Sequence, residues 1–187
     1  MSVDHELAAL QRDVQYLKDR IAILDCVARH ARGCDRHDVD LVCSAYHDDG
    51  SDEHGAIRNA GPDYGAWANA THAASSLTHT HNVTTHTCEV DGHVAHAESY
   101  VIVILLTHDA GTATVISGRY VDRLERREGE WRIAVRVSTV EVMFSADASA
   151  IRSSFFAQQG YPRGTRDRAD LSYERPLLAD TRAPEYW

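Results

Sequence analysis

The apolar positions of the chain change period once, at Leu77, and that change divides it into a helical half and a sheet half. Before it, Leu7, Leu10, Val14, Leu17, Ile21 and Leu24 recur at alternating steps of three and four, and Ala28 and Ala31 continue the stripe. With no glycine or proline before Gly33, this spacing predicts one long helix that ends at Gly33, where a left-handed residue commonly closes a helix. The stripe holds the heptad a and d positions strictly enough for a coiled-coil seam, but packing against a sheet accounts for it equally well and is the expectation. Asp38 can cap a short second helix through Leu41, Val42, Ala45 and Tyr46, broken at His47-Asp48-Asp49-Gly50. Gly61-Pro62 opens a third, with Tyr64, Trp67 and Ala68 on one face.

Beyond Leu77 four β-rich runs follow, roughly 77–90, 94–107, 112–126 and 130–144. Their separators, Asp91-Gly92, His108-Asp109-Ala110-Gly111 and Glu128-Gly129, are turn chemistry and too short for a crossover helix, so the sheet is an antiparallel meander. Strands this long must twist and curl, and early helices laid across the concave face leave a pocket suited to a small apolar ligand. The fold class is α+β, with one domain over 1–144. Residues 145–187, rich in Arg, Asp and Pro towards the end, form an irregular tail that packs on the domain or on a neighbouring subunit. Val115, Val121, Ala134, Val140 and Val142 cannot all face the pocket, which points to a homo-oligomer, dimer or trimer, covering the convex face.

Composition narrows the partners. A net charge of −9 without a basic cluster argues against nucleic acid. No run is apolar and long enough for a membrane helix, and the first residues lack the pattern of a signal peptide, so a cytoplasmic protein is expected. Cys26, Cys34, Cys43 and Cys88 form no Cys-x-x-Cys motif and read as buried thiols.

Candidate chemistry centres on Asp35 and His81. A carboxylate bonded to one imidazole nitrogen fixes the tautomer and frees the other nitrogen to take a proton, which makes a general base. His79 and His81 share one face of their strand, with Asn82 on the other. Together with His86 and Glu89 they also suggest a metal site, but strict alternation puts His86 on the opposite face, and no metal is expected.

Several segments resemble the SnoaL-like family of the nuclear transport factor 2 superfamily. They are Cys34-Asp35-Arg36-His37-Asp38 at the helix end, Tyr46-His47-Asp48-Asp49, His81 followed by Thr85, Val90-Asp91-Gly92-His93-Val94-Ala95, Gly118-Arg119-Tyr120-Val121-Asp122-Arg123-Leu124 and Trp131-Arg132-Ile133. The resemblance spans about residues 17–144. It implies a cone-shaped α+β barrel with an internal pocket and enzymes such as scytalone dehydratase, bile-acid dehydratase and hexachlorocyclohexane dehydrochlorinase, in which an Asp–His dyad removes a proton beside a leaving group. By position Asp35 and His81 match the dyad and Arg136 matches a pocket arginine. Where the dehydrochlorinase has lysine and the bile-acid enzyme tyrosine, five residues before the dyad aspartate, this chain has His30. Where most relatives have asparagine four residues after the dyad histidine, it has Thr85. The resemblance implies neither metal nor organic cofactor. The resulting expectation is a cofactor-independent lyase on a small hydrophobic cyclic substrate, with Arg136, Tyr46, His30, Tyr100, Trp67 and His79 binding it. An isomerase or cyclase using the same dyad, or a binding protein without chemistry, are the alternatives.

Overall fold

The computed structural model describes residues 3–187. Helix α1 (Val3–Arg36) is followed by α2 (Val39–Cys43), strands β1 (Tyr46–His54) and β2 (Ile57–Ala60), α3 (Gly61–Ser75), and β3 (Thr78–Asp91), β4 (Val94–Leu106), β5 (Thr112–Arg127) and β6 (Glu130–Asp147). Six strands form one sheet in the order β2-β1-β6-β5-β4-β3. The β3–β6 meander is antiparallel as the turns require, and Gly92 and Gly129 take the positive φ its hairpins need. Two strands were not legible in the sequence. β1 covers the segment read as the end of a helix and a break, and it joins β6 in parallel, so the sheet is mixed rather than a pure meander. Its residues are mostly polar and show no period-two apolar pattern. What holds it is long-range pairing with β6 and a buried carboxylate, Asp52, bonded to the Tyr46 hydroxyl at 2.6 Å.

Helix α1 runs past its expected end. Gly33 lies inside it, and the left-handed residue is His37 (φ 49°). The closing bonds are those of a Schellman motif: Asp38 N donates to Gly33 O at 2.9 Å and His37 N to Cys34 O at 3.3 Å. Gly33 serves close packing instead, since a Cβ there would meet Val42 Cγ2 at 2.6 Å and Val42 N at 2.7 Å. Asp38 caps α2 as expected, accepting from Leu41 N at 3.1 Å.

The apolar stripe of α1 is not its buried face. Leu7, Leu10, Val14, Leu17, Ile21 and Leu24 are 41–62% exposed, while Ile23, Cys26, Val27, His30, Ala31 and Cys34 pack against the sheet. The buried face reads weakly in the sequence because it is built from thiols, alanine and an imidazole. Asp19 anchors the helix further out, accepting from Trp131 Nε1 at 2.8 Å and Arg126 Nη1 at 2.9 Å. The segment after β6 folds back on its own chain. Arg36 bonds Asp170 at 2.7 Å and the Thr165 carbonyl at 2.7 Å, and Arg166 donates to Ser76 Oγ at 2.7 Å. No helix of the described residues is long and apolar enough to cross a membrane.

Replacing a helix-interior glycine by alanine ordinarily stabilises by up to about 1 kcal/mol. Gly33→Ala should do the reverse, because the added methyl forces α1 from α2, at a cost of about 1–3 kcal/mol. A fall in the denaturant midpoint checks this. An unchanged or raised midpoint would show that the two helices do not meet there.

Candidate active site

Asp35 sits in the last turn of α1 and His81 near the start of β3, and the structure brings them together. The Asp35 carboxylate accepts the His81 backbone N–H at 3.0 Å through each oxygen, and its Oδ1 lies 2.7 Å from His81 Nδ1. A carboxylate has only acceptors to offer, so Nδ1 is the donor, which leaves Nε2 with a free lone pair. No protein group among the described residues bonds Nε2. His81 lines a cavity of about 520 Å³ between α3 and the concave sheet, walled by Tyr64, Trp67, Val101, Val103 and Tyr120. Asp35 lines a second groove, which α1 forms with Pro162, Gly164 and Asp170 and which His81 borders too. The imidazole therefore spans the wall, its Nδ1 edge turned to the carboxylate.

His79 backs this pair. It is almost fully buried, with Nε2 3.1 Å from the Cys34 carbonyl and 3.7 Å from Asp35 Oδ1. Its ring lies 4.1 Å from that of His72 on α3, which in turn is 5.2 Å from that of His81. Burial drives His72 and His79 down to about 3 and His37 to about 4, with the surrounding imidazoles and Arg166 adding to burial and Asp35 opposing it at His79 and His37. These rings are neutral. His37, His72 and His79 offer ring nitrogens within 4.8 Å of one another, as do Asp35, His79 and His81 with a carboxylate oxygen, so either set has the donors to hold a divalent ion.

The other expected residues fall in three places. Trp67 lines the cavity. Arg136, Tyr46 and His30 lie beneath its floor and do not reach it. Arg136 is fully buried, bonded to Asp122 through Nε and Nη2 at 2.7 Å each, with its guanidinium 4.0 Å over the Tyr120 ring. Tyr46 spends its hydroxyl on Asp52. His30 stacks on Tyr64 at 5.2 Å, and burial, then the Arg136 charge, hold it well below the usual imidazole range. Tyr100 is 42% exposed on the convex face, beside Arg119, because β4 turns Val101, Val103 and Leu105 inward and its even-numbered neighbours outward. A bulge between Val83 and His86 breaks the alternation assumed for β3, so His86 comes to the inner side, where it bonds Ser99 Oγ at 2.8 Å, remote from the His79 cluster.

Sequence reasoning missed His72 and His54, both on the cavity wall. For His72 the signal was its place one helical turn beyond Ala68, in register with Tyr64. For His54 there was none, since its strand was not recognised.

A sequence profile for the SnoaL-like domain matches residues 15–137. The chain belongs to that family. Among solved structures, this SnoaL-like chain is similar to a hexachlorocyclohexane dehydrochlorinase (LinA, type 2), with a TM-score of 0.66 and 20% identity over 72% of this chain and 93% of the other. It is also similar to a variant of Rv3472, a protein of unknown function from Mycobacterium tuberculosis, with a TM-score of 0.58 and 30% identity over 69% and 75%. A Novosphingobium aromaticivorans protein named as a scytalone dehydratase by description only gives 0.63 and 15% over 71% and 90%. No curated protein sequence matches the chain significantly. These likenesses establish that the chain shares the cone-shaped α+β fold of those structures.

The neutral buried imidazoles set a pH dependence of stability. An unfolded histidine titrates near pH 6.5. With His72, His79 and His37 lowered to about 3–4 in the fold, protons bind the unfolded chain first. Their contribution is thus complete above about pH 6.5 and lost as pH falls from there towards 4. Urea midpoints should decline over that window, and less steeply in His72→Phe. A flat profile between these limits would show the rings to be solvated.

Proposed function

We propose that this protein is a lyase that removes a proton beside a leaving group of a small hydrophobic cyclic substrate, with His81 as general base and Asp35 as its orienting partner. The observation that carries the reading is the 2.7 Å Asp35–His81 contact at the wall of an apolar cavity, with Nε2 left unbonded. Asp35 holds the tautomer and offsets the charge of the imidazolium once the proton has moved. The cavity walls exclude water and orient the ring, and the base requires no cofactor. Tyr120 and Tyr64 have hydroxyls held protonated by burial, well above the usual phenol range, and so are donors rather than bases. The named dehydrochlorinase among the structural neighbours is consistent with elimination chemistry on this fold. We further propose that the protein is cytoplasmic and that the convex face, where Ile102, Ile104, Val121 and Val137 are exposed, is covered in a homo-oligomer.

The test uses the aldol of benzaldehyde and acetone, whose dehydration to a conjugated enone is followed by absorbance. His81→Ala and Asp35→Asn should each lower turnover by about two to four orders of magnitude with the circular dichroism of the fold retained, and the double variant should be little worse than either. Near-normal turnover in His81→Ala would end the proposal.

A further inference from the structure

The cavity holds a second histidine oriented as His81 is. Asp52 and His54 lie two residues apart on β1, with Asp52 Oδ1 2.7 Å from His54 Nδ1 and Asp52 Oδ2 accepting the Tyr46 hydroxyl at 2.6 Å. Asp52 is fully buried, whereas the His54 side chain is one-third exposed on the cavity wall that His81 also lines. Helix α3 relates the two rings. His54 stands beside Tyr64 and Trp67, at 5.5 and 5.7 Å, and His81 beside His72, at 5.2 Å. The Tyr64–Trp67 side of α3 thus meets His54 and the His72 side meets His81, and both imidazoles line one ligand-sized space.

We propose that His54, held by Asp52, is the general acid of the reaction, and that the substrates are therefore alcohols rather than halides. The inference rests on the reading of His81 as base. A halide departs as a stable anion, but hydroxide is a poor leaving group unless it is protonated as the bond breaks. In the step, the C–H bond next to the activating group breaks and its proton goes to His81 Nε2. The electron pair forms the carbon–carbon double bond, and the C–O bond breaks towards oxygen, which takes a proton from His54 and leaves as water. His81 ends protonated and His54 neutral, and exchange with solvent resets both. The buried Asp52 carboxylate offsets the charge that His54 carries before donating, as Asp35 does for His81 afterwards.

The probes are the benzaldehyde–acetone aldol and its chloro analogue, which give the same enone. In the full chain, His54→Gln should slow the alcohol at least about thirtyfold more than the chloride, while His81→Ala should slow both alike. Equal effects of His54→Gln on the two probes, or none on the alcohol, would overturn the role of His54 while leaving the base intact. Failure of the intact protein to turn over either probe, or full activity in His81→Ala, would remove the base itself, and this proposal with it.

A separate observation concerns α1. No residue from Val3 to Lys18 is buried, yet Leu7, Val14 and Ile21 repeat at heptad position a and Leu10, Leu17 and Leu24 at d. A largely β-branched a with leucine at d favours two parallel strands. In that arrangement each g residue faces the following e residue of the other copy, which pairs Asp13 with Lys18 and Arg20 with Asp25, both of opposite sign. Asp13, Lys18 and Asp25 have no ion-pair partner in their own chain among the described residues, and Arg20 donates to the Cys88 carbonyl at 2.8 Å. The structure assigns this stripe to a parallel coiled coil with a second copy of the chain. Sedimentation of the full chain should show Leu10→Glu/Leu17→Glu at half the mass of the unsubstituted protein. Leu10→Cys should cross-link to itself under mild oxidation above the background of the unsubstituted chain, because equivalent d positions meet. An unchanged mass without cross-linking would overturn the proposal, and cross-linking only between mixed Leu10→Cys and Ile21→Cys chains would show an antiparallel pair instead.

Discussion

One carboxylate joins the two halves of this molecule. Asp35 ends a 34-residue helix and takes two N–H groups of His81, the backbone one shared between both of its oxygens and the ring one at Nδ1. The helix end is fixed against β3, and by the same bonds the imidazole is given a tautomer and a direction. Much else in the structure serves that contact. Gly33 lets α2 approach without a side chain between, the left-handed His37 closes the helix at once, and the Cys34 carbonyl takes His79, which backs the carboxylate. Fold and site are thus one construction, and an imidazole whose own backbone N–H is held by the same carboxylate cannot swing away from it.

Around that contact the core departs from the usual apolar filling. Arg136 and Asp122 are both fully buried and bonded twice, and His30, Tyr46, Tyr64 and Tyr120 pack as a polar-aromatic layer between this pair and the cavity. Leaving either partner of such an ion pair unmatched would cost about 3–5 kcal/mol, so the pair constrains β5 and β6 to one register. The arginine acts on the site from below. Burial, reinforced by the arginine's charge, keeps His30 neutral, so the imidazole in the layer beneath the ligand space carries no charge.

The sequence disclosed what periodicity and turn chemistry can carry. The long β-rich runs, their hairpins, the third helix opening at Gly61-Pro62 and the curled sheet could be read directly, and the motif around Asp35 and His81 pointed to two residues that the structure brings into contact. Three things were hidden for physical reasons. Strand β1 has no apolar alternation because its inward groups are a carboxylate and a tyrosine that satisfy each other. The α1 stripe looks like a core face, since periodicity finds the apolar side of a helix without saying what it faces. Tyr100 and His86 were misplaced by parity, the first because its strand phase was unknown and the second because a bulge shifts it. His72 could have been placed from its register with Tyr64 and Ala68 on the third helix, whereas His54 needed the tertiary structure, because its strand carries no local mark.

The central claim is that Asp35 holds His81 with its proton on Nδ1 and leaves Nε2 bare towards the cavity. Heteronuclear NMR of the imidazole nitrogens, with His81 assigned by the loss of its signals in His81→Gln, reads this directly. At neutral pH the account predicts a protonated Nδ1 hydrogen-bonded to a carboxylate and an unprotonated Nε2. A proton on Nε2 with Nδ1 bare would contradict it, because the nitrogen facing the substrate would then have no lone pair to accept a proton.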